Sequence, residues 1–267
     1  MGKSTFIDFL KLILIFAGVW AAFILIPISF EKPELQLSVA NEEKLGDLIV
    51  AQIISLDKSL KIVRNPGLDS AMNIIVNRLT EVAGPTDYNY KIKVVENEQI
   101  NAFTLPGGNI FIYSGLIDFS EHPEEVAAVL AHELGHVEKR HVVSRLVKEL
   151  GISLLLTVLT GADNVLTNEI GRTALSTVFD RNQEHEADYF ALEMLEKANI
   201  NPKVMATFFR RLNEKLGGYN KNLEMLMTHP HNNSRIKSAL EYETAPDFKS
   251  VTLGLDWKKV KLSLNQE

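Results

Sequence analysis

Residues 132–136 read His132-Glu133-Leu134-Gly135-His136, between Val126-Ala127-Ala128-Val129-Leu130-Ala131 and Val137-Glu138-Lys139-Arg140. No proline interrupts Glu124 to Val147, and Pro123 stands at the first position of the run, where its missing N–H costs nothing. The pattern predicts one helix from Glu124 to Val147. On it His132 and His136, four residues apart, share a face about one turn from each other. That spacing lets two imidazoles bind one zinc ion and leaves the glutamate between them free to act as a base. A surface helix that simply carries these residues would look the same, so the rest of the chain has to decide.

With 267 residues the chain has room for one sizeable domain or two small ones, and 46% hydrophobic residues suit a packed core, with or without a membrane segment. A formal net charge of −6 offers no electrostatic footprint for nucleic acid. The absence of cysteine excludes disulfides, thiolate metal sites and cysteine nucleophiles. All seven histidines fall between His122 and His231, which confines imidazole chemistry to that part of the chain.

Met1 to Thr5 is a short polar tail. Leu12 to Ile28 carries no charge, and with its apolar flanks the segment 6–30 reaches the ~20 residues that span a bilayer. Lys3 and Lys11 precede it while Glu31, Lys32 and Glu34 follow, which favours a cytoplasmic N-terminus and an extracytoplasmic remainder, periplasmic if the source is a Gram-negative bacterium. A cleaved signal peptide is the competing expectation; the run is long for one, and no small-x-small cleavage site follows it.

Residues 31–60 form a proline-containing connector and an amphipathic helix, Asn41 to Leu56. The main domain is expected at 61–245. It opens with a helix from Leu68 to Val82, stopped by Gly84-Pro85. Alternation at Tyr90, Ile92 and Val94 predicts a strand. Asn101-Ala102-Phe103 leads through the turn Pro106-Gly107-Gly108 into a second β-rich run, Ile110 to Tyr113. Gly151 to Gly161 is too short an apolar block to span a membrane and predicts a buried helix, with a re-entrant element as the alternative. Helices are expected over Arg181–Ala198, from Pro202 to Leu216, and near Ile236–Tyr242 after a polar loop from Thr228. In the tail, 246–267, alternating Val251, Leu253, Leu255 and Trp257 predict an edge strand.

A catalytic zinc site needs three protein ligands and an open position. Glu184 and Asp188, in Glu184-His185-Glu186-Ala187-Asp188, are again four apart on one helix face. Glu184 can ligate the metal while Asp188 accepts the other ring N–H of a ligand histidine. His185 and Glu186 are the other candidates for third ligand. Glu133, about 100° round the helix from His132, faces the water rather than the metal and serves as general base. His141 falls about 140° from His136 on the predicted helix, which points to a surface or packing role. His122 has no assigned role.

Four ordered blocks carry a family resemblance: Asn101-Ala102-Phe103 with Pro106-Gly107-Gly108-Asn109-Ile110-Phe111; the His132 to His136 motif; Asp180-Arg181 leading to Glu184 to Asp188; and Thr228-His229-Pro230 followed by Arg235-Ile236. Over roughly Leu68 to Leu240 the chain resembles the zinc metallopeptidases that include the CAAX prenyl proteases and the heat-shock protease HtpX. It departs from that pattern at Asp180, where a serine is usual.

The resemblance implies a mainly α (α+β), zincin-like fold with a small sheet beside the motif helix, and one Zn2+ per chain held by His132, His136 and Glu184. It also implies a catalytic Glu133 and Asp188 as the carboxylate behind a ligand. Asn101, Ala102, Phe103, Gly108, Asn109 and Ile110 look like the strand edge where an extended polypeptide substrate adds. His229 and Arg235 look like catalytic groups approaching the metal from the C-terminal side, as donors to an oxyanion. His229 could instead bind the metal in the fourth position and hold the site latent, or simply cap the next helix. With only one span, the chain fits a membrane-anchored endopeptidase of protein quality control better than a chamber within the bilayer.

Overall fold

The computed structural model describes residues 37–56, 61–84, 86–161, 164–176, 178–216, 229 and 232–264, together with 7–9, 11, 13–16, 18 and 20. The chain divides into two units, Met1–Gln36 and Leu37–Glu267. In the first, the described residues are helical and exposed. Most of the predicted span 6–30 lies outside the described residues, and among those described no helix is long and apolar enough to cross a membrane.

The second unit is mainly helical with one small sheet. In chain order it contains α1 (Val39–Leu56), α2 (Pro66–Thr80), β1 (Lys91–Val95), β2 (Ala102–Leu105), β3 (Asn109–Tyr113), α3 (Ser114–Phe119) and α4 (Pro123–Glu138). There follow α5 (His141–Leu150), α6 (Ile152–Leu159), α7 (Asn164–Leu175), α8 (Arg181–Lys197), α9 (Val204–Leu216), α10 (Asn232–Glu241) and α11 (Trp257–Ser263).

β2 and β3 form a hairpin whose turn needs Gly107 and Gly108 at φ +71° and +76°, a region that side chains disfavour. The strand order is β1-β3-β2, with β1 parallel and β2 antiparallel to β3. The central strand alternates between two cores. Ile110 and Ile112 join the main cluster with α2, α4, α8 and α9, while Phe111 joins a second one with α1, α5, α6 and α7. A strand covered on both faces reads as an unbroken apolar run, as Ile110 to Tyr113 does.

Three sequence expectations need correction. The helix expected from Glu124 to Val147 is two helices, broken at Arg140, whose φ of 56° and ψ of 30° are left-handed. Val137 packs into the main cluster while Val142, Val143 and Leu146 pack into the second, so the bend lets one apolar run serve both cores. The Arg140 guanidinium is bonded to Glu42 and to the carbonyl of Leu37, which holds the bend from the start of α1. Among its described residues the tail forms no edge strand. Asp256 caps α11, Trp257 and Val260 bury one helical face, and Trp257 Nε1 donates to the carbonyl of Ser120 at 2.9 Å. The last predicted helix starts earlier, at Asn232, which puts Arg235 on a helix rather than a loop. The block at Gly151–Gly161 is the expected short helix, with Leu155 and Val158 buried.

Candidate metal centre

The site forms where α4 crosses α8. A Cβ added at Gly135 would lie 3.0 Å from the Cα and carbonyl oxygen of Ala187 and 3.3 Å from the ring of Phe190. Glycine therefore permits the close approach that brings His132 and His136 against Glu184 and Asp188. The start of α8 is set by a capping box. Asp180 accepts from the N–H groups of Asn182 and Gln183, and the Gln183 side chain accepts from the Asp180 N–H. Glu184 is thereby held in the first turn.

His132, His136, Glu184 and His229, all buried, each present one ligand atom within 4.8 Å of the others. The two Nε2 atoms of His132 and His136 are 3.0 Å apart. His136 Nε2 lies 3.4 Å from Glu184 Oε1, and His132 Nε2 lies 3.7 Å from Glu184 Oε2. His229 Nδ1 is 2.8 Å from Glu184 Oε1 and 3.3 Å from His132 Nε2. Two imidazole lone pairs converging in a dry interior repel unless a positive group sits between them, and Glu184 Oε2 is buried with no hydrogen-bond partner among the described residues. Nitrogen and carboxylate donors in this arrangement suit a divalent metal cation.

His132 Nδ1 lies 2.9 Å from Asp188 Oδ1, which as a carboxylate can accept the ring proton and leave the Nε2 lone pair facing the cluster. Arg235 donates to the same Asp188 oxygen through Nε at 2.9 Å, and its Nη2 lies 2.8 Å from both that oxygen and His132 Nδ1. Its guanidinium lies 4.0 Å from the centre of the Phe209 ring.

Burial pushes His132 and His136 well below the usual imidazole range, which keeps them neutral as ligands must be. Burial alone would raise Glu184, but the facing imidazoles, His229 first, outweigh it and hold that carboxylate far below its ordinary value. Glu133 moves the other way, raised chiefly by burial.

Glu133 lies outside the set of ligand atoms. Its Oε2 accepts from the Thr104 hydroxyl at 2.7 Å; its Oε1 has no hydrogen-bond partner among the described residues and stands 3.5 Å from His229 Nε2. Of the residues expected along the substrate edge, Asn101 precedes β2, which contains Ala102 and Phe103, while Gly108 ends the turn and Asn109 and Ile110 belong to β3. Both edges of β3 are paired, so an added strand could join this side of the sheet only at β2. His185 and Glu186 are exposed and outside the ligand set, as is His122 in front of α4.

Three neighbours of the site escape a reading of the sequence alone. Thr104 has a signal: alternation with Ala102 along β2 turns it toward α4. Phe179, just before α8, stacks on His136 with ring centres 3.8 Å apart. His141 is buried, not on a surface, and its Nδ1 lies 2.9 Å from His136 Nδ1. No local residue pattern announces the left-handed Arg140 that brings it there.

Compared with known proteins, residues 68–243 match peptidase family M48, the stretch that carried the resemblance. A β-barrel assembly-enhancing protease of Yersinia pestis is 30% identical over 216 residues, 76% of this chain and 44% of that protein. The protein of the same name from Escherichia coli K12 is 29% identical over 76% of this chain and 44% of its own length. The mitochondrial metalloendopeptidase OMA1 of Schizosaccharomyces pombe is 29% identical over 63% of this chain and 51% of its own length. The chain thus spans about half, or less, of the length of these curated relatives.

Proposed function

The chain belongs to peptidase family M48, and on that premise we propose that it is a zinc-dependent metalloendopeptidase with Glu133 as general base. The division of labour between two buried glutamates carries this assignment. Glu184 is among the ligand atoms, whereas Glu133 beside it has one oxygen held by Thr104 and the other without a hydrogen-bond partner among the described residues. A carboxylate pinned at one oxygen and free at the other suits taking a proton from water and passing it to the leaving amine. His132, His136 and Glu184 would hold one zinc ion, which supplies a Lewis acid for the scissile carbonyl and for the water. Asp188 keeps His132 ligating through Nε2, and Arg235 holds Asp188 in place. The substrates are polypeptides, and an extended segment would add to the edge of β2 at Ala102 and Phe103 by main-chain hydrogen bonds. The apolar run 6–30 supports a single anchor with the peptidase unit on the far side of the membrane. A role in protein quality control there is in keeping with a relative named for enhancing β-barrel assembly.

Glu133→Gln should keep its zinc in metal analysis while digestion of an unfolded protein such as casein falls roughly 10²- to 10⁴-fold. A chelator should abolish digestion by the native protein. Digestion at the native rate by Glu133→Gln would sink the assignment.

His229 favours a second possibility. Its Nδ1 lies among the ligand atoms and its ring is buried, which supports a latent form with His229 in the fourth position. The protein would then be a switchable enzyme or a zinc-stabilised, chaperone-like interaction protein. His229→Ala separates these. Gained proteolysis means latency, lost proteolysis means a catalytic His229 and, with it, a donor to the oxyanion. Unchanged inactivity with zinc retained supports the interaction protein.

A further inference from the structure

His136 turns Nε2 toward the ligand cluster and Nδ1 away from it, onto Nδ1 of His141 at 2.9 Å. Two facing ring nitrogens make a hydrogen bond only if one of them carries the proton. The other nitrogen of His141, Nε2, lies 3.2 Å from Glu186 Oε2. An ionised carboxylate only accepts, so the His141 proton is on Nε2. A neutral imidazole has a single N–H, which leaves His141 Nδ1 bare and makes it the acceptor for His136 Nδ1–H. The same step leaves His136 Nε2 as a lone pair facing the cluster.

We propose that His141 is a positioning residue for the metal centre, holding His136 in its ligating tautomer and orientation, and that Glu186 in turn fixes His141. The inference rests on His136 being a zinc ligand. His141 is 3% exposed, so water does not compete for its Nδ1. Phe179 lies flat on the His136 ring, and its centre is 6.1 Å from that of His141, which closes the remaining face. The reach itself depends on the bend at Arg140. On an unbroken helix His141 would point about 140° away from His136. The left-handed Arg140, tied to Glu42 and to the Leu37 carbonyl, swings α5 so that the two rings meet.

The test is zinc affinity of the purified full chain, measured by competition with a chromophoric chelator. His141→Leu should lower it roughly 10- to 100-fold. His141→Asn, whose amide oxygen can stand where Nδ1 stood, should recover most of that loss, and Glu186→Ala should lower affinity several-fold. In cobalt-substituted protein the visible absorption of His141→Asn should overlay that of the native chain, and that of His141→Leu should shift. Melting temperatures of the variants report folding separately; a packing role alone would move those and leave the Leu and Asn affinities alike. Native affinity in His141→Leu, or equal losses with Leu and Asn, overturns the proposal. If His141→Leu does not fold, Glu186→Ala decides, and unchanged affinity there overturns it. A native chain that binds no zinc would instead overturn the assignment of His136 as a ligand.

Discussion

The two histidines proposed as ligands sit one helical turn apart, yet they are supported in different ways. His132 leans directly on a buried pair, Asp188 and Arg235 of α10; Arg235 Nη2 reaches both the carboxylate and His132 Nδ1, and its guanidinium is buried under Phe209. His136 leans on a second imidazole, His141, which reaches a carboxylate only at Glu186, whose side chain is 57% exposed. One support is a sealed ion pair and the other a neutral ring that ends at the surface. A sealed pair adds little net stability, but removing one member leaves a charge in the interior. The open arrangement carries no such penalty, because Glu186 is already solvated. Geometry of the ligand is secured in both cases, while the dependence of folding on that geometry differs.

The largest expected effect follows from breaking the sealed side. Asp188→Asn leaves the Arg235 guanidinium with only the longer Glu184 contact, 3.7 Å from Nη1, and should lower stability by about 3 kcal/mol in urea denaturation. Its zinc affinity should also fall below that of any His141 variant. A loss under about 1 kcal/mol, the range of a surface ion pair, would erase the contrast between the two supports.

Gly135→Ala acts on both sides together, because the new methyl meets the backbone of Ala187 at 3.0 Å and must push α4 from α8. About 1–3 kcal/mol should be lost, with weaker zinc binding, read by denaturation and metal titration on the same samples. Full stability would mean that the crossing tolerates a wider separation than the ligand distances call for.

The smallest effect should come from Glu42→Gln, which touches only the His136 side. Glu42 accepts from Arg140 and from the Tyr88 hydroxyl at 2.7 Å, so losing its charge should cost about 1 kcal/mol. Combined with His141→Asn, its effect on zinc affinity should be non-additive; combined with Asp188→Asn it should add. Additivity in both cycles would detach the bend at Arg140 from the metal centre.

Much of the ligand set is legible in the chain because it follows helical periodicity. His132 with His136, and Glu184 with Asp188, are four apart, and that spacing puts a pair on one face whatever else the fold does. The turn at Pro106-Gly107-Gly108 is legible for a similar reason, since two successive positive φ angles call for glycine. The tail misleads because Val251, Leu253, Leu255 and Trp257 alternate over a stretch whose N–H groups go elsewhere than to a strand: that of Val251 to the Asn199 carbonyl and that of Leu253 to Glu124 on α4.

The sequence by itself determined which side chains could bind a metal and which glutamate stood between them, since local spacing settles both. Only the tertiary structure decided where α4 stops. Arg140 has no glycine or proline to mark it, and its left-handed backbone is held by Glu42, 98 residues away in the chain. Tertiary contacts likewise chose Thr104 to hold Glu133 and His141 to hold His136. Alternation turns Thr104 toward α4, but which side chain meets which across a bend or between separate elements depends on how two cores share one apolar run.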